Sequence, residues 1–81
     1  MGTRIHTAAD LGASIRSARK GQGLTQSQLA DFFSTFSREF LSDLENGKPT
    51  VELDKALAVA SSLGLKVYVC ENNEQPSEEA R

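Results

Sequence analysis

Two breaks confine the middle of this chain. Gly21-Gln22-Gly23 stops whatever precedes residue 24, and Asn46-Gly47-Lys48-Pro49 stops whatever runs up to residue 45. Glycine just past a helix end accepts the left-handed turn there, and proline forces the residue before it out of helical geometry. Between the breaks lie two separate helix starts. Thr25-Gln26-Ser27-Gln28 reads as a capping box, with Leu24 and Leu29 as a hydrophobic staple across it. Ser37 is placed to cap the second start, with Phe36 stapling onto Leu41. The space holds only two short helices, predicted over 26–33 and 38–46, joined across Ser34-Thr35-Phe36.

The flanks supply two more helices and a strand. Thr7 caps a first helix, with Asp10 reaching back at its third position and Leu11, Ile15 and Ala18 forming one apolar stripe. Thr50 is expected to cap a fourth, with Glu52 and Asp54 in its first turn and Leu53, Leu57, Ala60 and Leu63 along its buried side. Gly64 closes it. Residues 65–70 then alternate, Leu65, Val67 and Val69 on one face against Lys66 and Tyr68 on the other, which predicts a strand.

That strand has no partner within the chain unless Thr3 to His6 supply a short one, and its backbone groups must be satisfied somewhere. Pairing with the same strand of a second copy is the economical answer, so Leu65, Val67, Tyr68 and Val69 are the expected dimerisation residues of a two-fold homodimer. A chain of 81 residues is a single small domain, and one this size is marginal alone. The fold expected is all-α, a compact bundle of four to five helices with that C-terminal strand. Its parts are an N-terminal arm over 1–6, the helical domain over 7–64, the dimerisation strand over 65–70, and a disordered acidic tail over 71–81.

Several function classes fall away. One cysteine and one histidine leave no disulfide framework and no metal centre of ordinary ligand number. No nucleophile–base–orienter set and no phosphate-cradling glycine loop appears, so neither an enzyme nor a cofactor is expected. With no signal-peptide core and no apolar run of membrane-spanning length, the expectation is a cytoplasmic chain with no membrane partner. The net charge of −2 looks wrong for a nucleic-acid binder, yet residues 71–81 alone carry −3, which leaves +1 for residues 1–70. Charge distribution therefore decides, not the total.

Two short helices joined by a tight turn have the dimensions of a helix-turn-helix, whose second helix presents its N-terminal residues to base edges in the major groove. On that helix Arg38, Glu39, Ser42 and Asp43 lie opposite Phe40, Leu41 and Leu44. Arginine can fork onto guanine, and glutamate can accept from cytosine N4. Thr25 and Gln26, at the start of the preceding helix, are placed for a phosphate. Arg16, Arg19, Lys20 and Lys48 are candidates for further backbone contacts. Gln28 is explained by the capping box, whereas Gln26 has no structural task in the sequence. Phe32, Phe33, Phe36 and Phe40 are spaced as core, not as base-stacking residues, although the turn that follows can leave Phe33 exposed.

Leu24-Thr25-Gln26-x-x-Leu29-Ala30, followed by Ser37-Arg38-x-Phe40-Leu41-Ser42-x-Leu44-Glu45-Asn46-Gly47-Lys48-Pro49-Thr50, resembles the Xre/Cro-type helix-turn-helix repressors, with their lambda-repressor-like fold. The continuation Leu53-Asp54-Lys55-x-Leu57, then Leu63-Gly64-Leu65 and a terminal strand, is similar to the HipB-type antitoxins within that group. The resemblance covers roughly residues 7–70. It implies a dimeric operator-binding protein that represses its own operon and pairs with a HipA-type serine/threonine kinase toxin. Carried over, the DNA-touching positions are Thr25, Gln26, Ser37 and Arg38, with Glu39 adjacent and Lys48 meeting phosphate. The turn departs from the family pattern: between Ala30 and Ser37 there is one residue more than usual, and no glycine. Two other readings fit the same residues, a stand-alone Xre-type repressor and a protein-interaction module whose altered turn has weakened DNA recognition.

Overall fold

A computed structural model describes residues 2–71. Within them the chain forms four helices, α1 (Ala8–Gly21), α2 (Gln26–Phe32), α3 (Arg38–Glu45) and α4 (Leu53–Ser62). The acidic tail expected beyond Glu71 lies outside the described residues.

The first three helix starts are those the sequence marks. Thr7 Oγ1 accepts from the Asp10 amide at 3.2 Å while Asp10 Oδ2 accepts from the His6 and Thr7 amides, and α1 begins there. Those backbone donors hold the Asp10 carboxyl below the usual carboxylate range. Thr25 and Gln28 form the reciprocal box at 3.0 and 2.8 Å, and Ser37 Oγ accepts from the Phe40 amide at 3.0 Å. The fourth start differs. Lys48–Val51 folds into a turn closed by Val51 N–H on the Lys48 carbonyl, and this packs Val51 against the core. Thr50 is consumed in that turn, so α4 begins later, at Leu53, with Glu52 in the cap position and no side-chain cap.

The later start goes with a different buried stripe. Ala56, Val59, Ala60 and Leu63 face inward, at the helical spacing i, i+3, i+4, i+7, while Leu53 and Leu57 lie exposed. The core itself gathers Ile15 from α1, Leu29 from α2, Leu41 and Leu44 from α3, and this stripe, with Phe36 from the turn. Each large side chain so buried contributes roughly 1.5–3 kcal/mol.

α1 packs tightly on α3 at Gly12. A Cβ there would run into the Leu44 carbonyl oxygen and the Glu45 backbone, so only glycine fits. Gly47 has φ +81°, and its Cα faces the first turn of α1, where a Cβ would sit 2.7 Å from the Ala9 Cα.

The turn without glycine is solved by an extended residue. α2 ends at Phe32, and Phe33 takes φ −121°, ψ 95°, an ordinary conformation for a side chain. Phe36 N–H then donates to the Phe33 carbonyl at 3.0 Å, closing the turn ahead of Ser37. The four phenylalanines consequently separate. Phe36 is buried and Phe40 half-buried, but Phe32 is 72% exposed and Phe33 is at the surface. Reading Phe32 as core was an error: although it stands three residues after the buried Leu29, it lies outward beside Leu24, Gln28 and Asp31.

Residues 65–70 form no ladder within the chain, and neither do Thr3 to His6; among the described residues there is no strand. Leu65 N–H caps α4 on the Ala60 carbonyl, and its side chain packs on the core. Val67, Tyr68 and Val69 then project into solvent at 53, 56 and 99% exposure.

Candidate nucleic-acid interface

α2 and α3 bring their N-terminal turns to one side of the molecule. There Gln26, Arg38, Glu39 and Ser42 line a single shallow concavity. Arg38 and Glu39 are exposed and, among the described residues, free of ion pairs, so neither must break a contact to meet a ligand. Thr25 and Ser37 are also exposed. Each spends a lone pair on capping its helix and keeps its hydroxyl proton, which can donate to a phosphate oxygen.

Lys48 lies beyond the C-terminus of α3 with its ammonium 3.5 Å from Asp43 Oδ2, both side chains about half exposed. A pair that open to solvent is worth little and yields readily to another anion.

Arg19 is placed elsewhere. It is 7% exposed, with Nε and Nη2 forking onto the Glu45 carboxylate at 2.7 and 2.8 Å and Nη1 donating to the Leu24 carbonyl at 2.6 Å. Its guanidinium ties α1 to α3 and to the loop before α2, with three of its five N–H donors spent inside the chain. The physical reason is its spacing, i+4 from the fully buried Ile15, which turns it inward. Arg16, one turn earlier and exposed, keeps its charge available.

Glu45, the partner of Arg19, was not singled out from the sequence. Burial alone would push its carboxyl up. Hydrogen bonds from Arg19 and Gln26, and the charges of Arg19 and Arg16, outweigh that and hold it below its ordinary value. Glu45 Oε1 accepts from Gln26 Nε2 at 3.1 Å, so Gln26 does have a structural task. The available signal was again periodicity, since Glu45 stands at i+4 from the buried Leu41.

Among the described residues no group of histidine, cysteine and carboxylate side chains is arranged to hold a metal ion, and no helix is long and apolar enough to cross a membrane.

Comparison with known proteins agrees with this geometry. An HTH-type transcriptional regulator of Sinorhizobium fredii, y4mF, is 44% identical over 69 residues, covering 85% of this chain and 90% of its own length. A competence pilus inhibition repressor of Acinetobacter baylyi is 55% identical over a shorter stretch of 38 residues, 47% of this chain and 34% of its own length. Among solved structures, a HipB-O4 20mer complex superposes with a TM-score of 0.76 at 24% identity, covering 86% of this chain and 97% of that one. A HipA-HipB-O2-O3 complex superposes with a TM-score of 0.77 at 24% identity, covering 89% and 100%. The helix-turn-helix family HTH_3 matches residues 15–69, most of the described chain. With its capped helix pair, its four-helix fold and that match, the chain belongs to the Xre-type helix-turn-helix family of DNA-binding transcription regulators.

Proposed function

We propose that this regulator is a dimeric antitoxin of the cytoplasm, one that binds the operator of its own operon and neutralises a HipA-type serine/threonine kinase toxin. The observation that carries the DNA part is the concavity in which Gln26, Arg38, Glu39 and Ser42 converge from two helices. In this reading α3 enters the major groove, Arg38 and Glu39 address base edges, and Thr25, Ser37 and Lys48 hold phosphates. The dimer is supported by the exposed run Val67, Tyr68 and Val69, whose backbone finds no ladder within the chain. Two-fold pairing there would set two recognition helices on half-sites about 34 Å apart, or a multiple of that.

The antitoxin part rests on the Leu63-Gly64-Leu65 continuation and on the likeness in fold to HipB, solved with DNA and with HipA. A second reading, a stand-alone repressor, is favoured by the two sequence relatives, which are described as a transcriptional regulator and a repressor.

Native co-purification from the host in moderate salt, with mass spectrometry of the bound material, separates the two. A stoichiometric kinase-fold partner supports the antitoxin; recovery of the chain alone as a dimer makes it a plain repressor. Equal affinity for an operator and a scrambled duplex would remove specific DNA recognition from both.

A further inference from the structure

The last turn of α4 hands the chain on to residues 65–70, and it is held from two sides. On its own side Gly64 N–H donates to the Ser61 carbonyl and Leu65 N–H to the Ala60 carbonyl, both at 2.9 Å, the paired bonds of a Schellman turn. Leu63 is buried and Leu65 packs on the core. The Leu63 carbonyl is one of those a helix end leaves without an internal donor. It is met from α1, where Gln22 Nε2 donates to it at 2.8 Å.

Gln22 is the residue that caps the C-terminus of α1, so this bond ties the end of α1 to the point where the chain leaves the helical domain. α1 in turn holds α3 through Gly12 and through Arg19 on Glu45. A connected path thus runs from α3 through α1, Gln22 and Leu63 to the exposed Val67, Tyr68 and Val69. In a two-fold dimer paired through residues 65–70, the direction in which each chain leaves Leu63 sets where its α3 stands. Half-sites one turn apart put each α3 about 17 Å from the two-fold axis. Turning the root by about 10° moves it by about 3 Å, close to the rise of one base pair. The packing of Leu63 and Leu65 is non-directional, whereas a hydrogen bond favours one angle.

We infer that Gln22 is a positioning residue for operator spacing: through the Leu63 carbonyl it fixes the angle between the DNA-binding helices and the segment that pairs two copies. The inference rests on the dimeric DNA-binding reading above and deepens it.

The test uses the full chain. A half-site is obtained by selection from randomised duplexes. Affinities are then measured on a duplex with one half-site, and on a series with two whose separation changes by single base pairs. The variants are Gln22→Met, of similar length without a donor, and Gln22→Lys, which keeps one; circular dichroism checks folding and sedimentation checks the dimer. The wild type should show a sharp optimum of separation. Gln22→Met should match it on one half-site, yet bind the best-spaced duplex roughly 2- to 12-fold more weakly, the worth of one net hydrogen bond, and with a flatter dependence on separation. Gln22→Lys should restore the optimum. A merely structural role for Gln22 would move the one-site and two-site affinities together.

A folded, dimeric Gln22→Met with the wild-type spacing profile overturns the inference, since the Schellman turn and Leu65 would then hold the direction alone. So does an equal loss on one half-site and on two, and so does a Gln22→Lys that behaves as Gln22→Met. A dimeric wild type indifferent to separation also overturns it and leaves the dimer standing. A wild type that sediments as a monomer, or that selects no consensus, would instead bring down the dimeric or the DNA-binding reading itself.

Discussion

Replacing Glu45 by alanine isolates the interaction that holds α1 against α3. It strips Arg19 of two of its three hydrogen bonds and leaves only the Leu24 carbonyl at 2.6 Å for a guanidinium that is 7% exposed. Two charge-assisted bonds at roughly 1.5–3 kcal/mol each give roughly 3–6 kcal/mol. Breaking a buried pair by removing one partner costs roughly 3–5 kcal/mol, because the other charge stays buried and unpaired. Both routes centre on about 4 kcal/mol. A domain of this size has only about 4–12 kcal/mol in total, at roughly 0.05–0.15 kcal/mol per residue. Glu45→Ala should therefore lower Tm by roughly 15–30 °C, at about 4–8 °C per kcal/mol, or leave the chain unfolded at room temperature. The double variant Arg19→Met/Glu45→Leu removes both charges together and should cost less than about 1 kcal/mol. Urea and thermal melts followed by far-UV circular dichroism measure all three proteins. A Glu45→Ala variant within about 1 kcal/mol of wild type would refute the buried, mutually dependent pair.

The same pair fixes a pH dependence whose sign follows from Glu45. Its carboxyl is held below its ordinary value in the folded state, so the unfolded chain takes up the proton first. The stabilisation is present in full above the unfolded value of about 4.3 and is lost as pH falls through the lower folded value. The stability gap between wild type and Arg19→Met/Glu45→Leu should shift against wild type across that acidic window and stay flat near neutrality. A gap that changed around neutral pH instead would contradict this assignment.

Arg38→Ala should weaken specific DNA binding by roughly 1–3 kcal/mol and relax selectivity at one base position, read by titration against duplex variants at fixed salt. Gly12→Ala should destabilise by roughly 1–3 kcal/mol in urea melts, because its methyl meets the Leu44 carbonyl and backbone has little room to give. Phe32→Ser, 72% exposed, should change stability by less than about 0.5 kcal/mol, while Phe36→Ala should cost roughly 3–5 kcal/mol; equal effects at the two positions would contradict the path of the turn.

What the sequence disclosed follows the range of the forces concerned. Thr7, Thr25 and Ser37 cap their helices as read, because a cap involves residues three apart and little else. Thr50 fails as a cap because Val51, its neighbour, is drawn onto a core assembled from all four helices. The offset stripe of α4 has the same origin: both stripes share Ala60 and Leu63, and only packing onto the shared core selects the one through Ala56 and Val59. Phe32 could not be placed from periodicity, since it stands three residues after the buried Leu29, a spacing that shares a helix face, and is nonetheless 72% exposed.

Arg19 and Glu45 show where reading charges as surface fails. Each stands four residues after a core residue, Ile15 and Leu41, on the inward stripe of its own helix, and the two are opposite in sign. One ion on an apolar stripe conflicts with the pattern; two of opposite sign on separate helices resolve it, provided the helices face each other. α1 thus grips α3 through Gly12, Ile15 and Arg19, and the grip falls on the C-terminal half of α3, at Leu44 and Glu45. The N-terminal turn is left out of that contact, with Arg38 and Glu39 exposed beside Gln26. A recognition helix needs both conditions, one end fixed by a partner it does not share with its ligand and the other end free of internal commitments. The turn between α2 and α3 leaves the Ser37 cap in place, with Phe33 extended ahead of it.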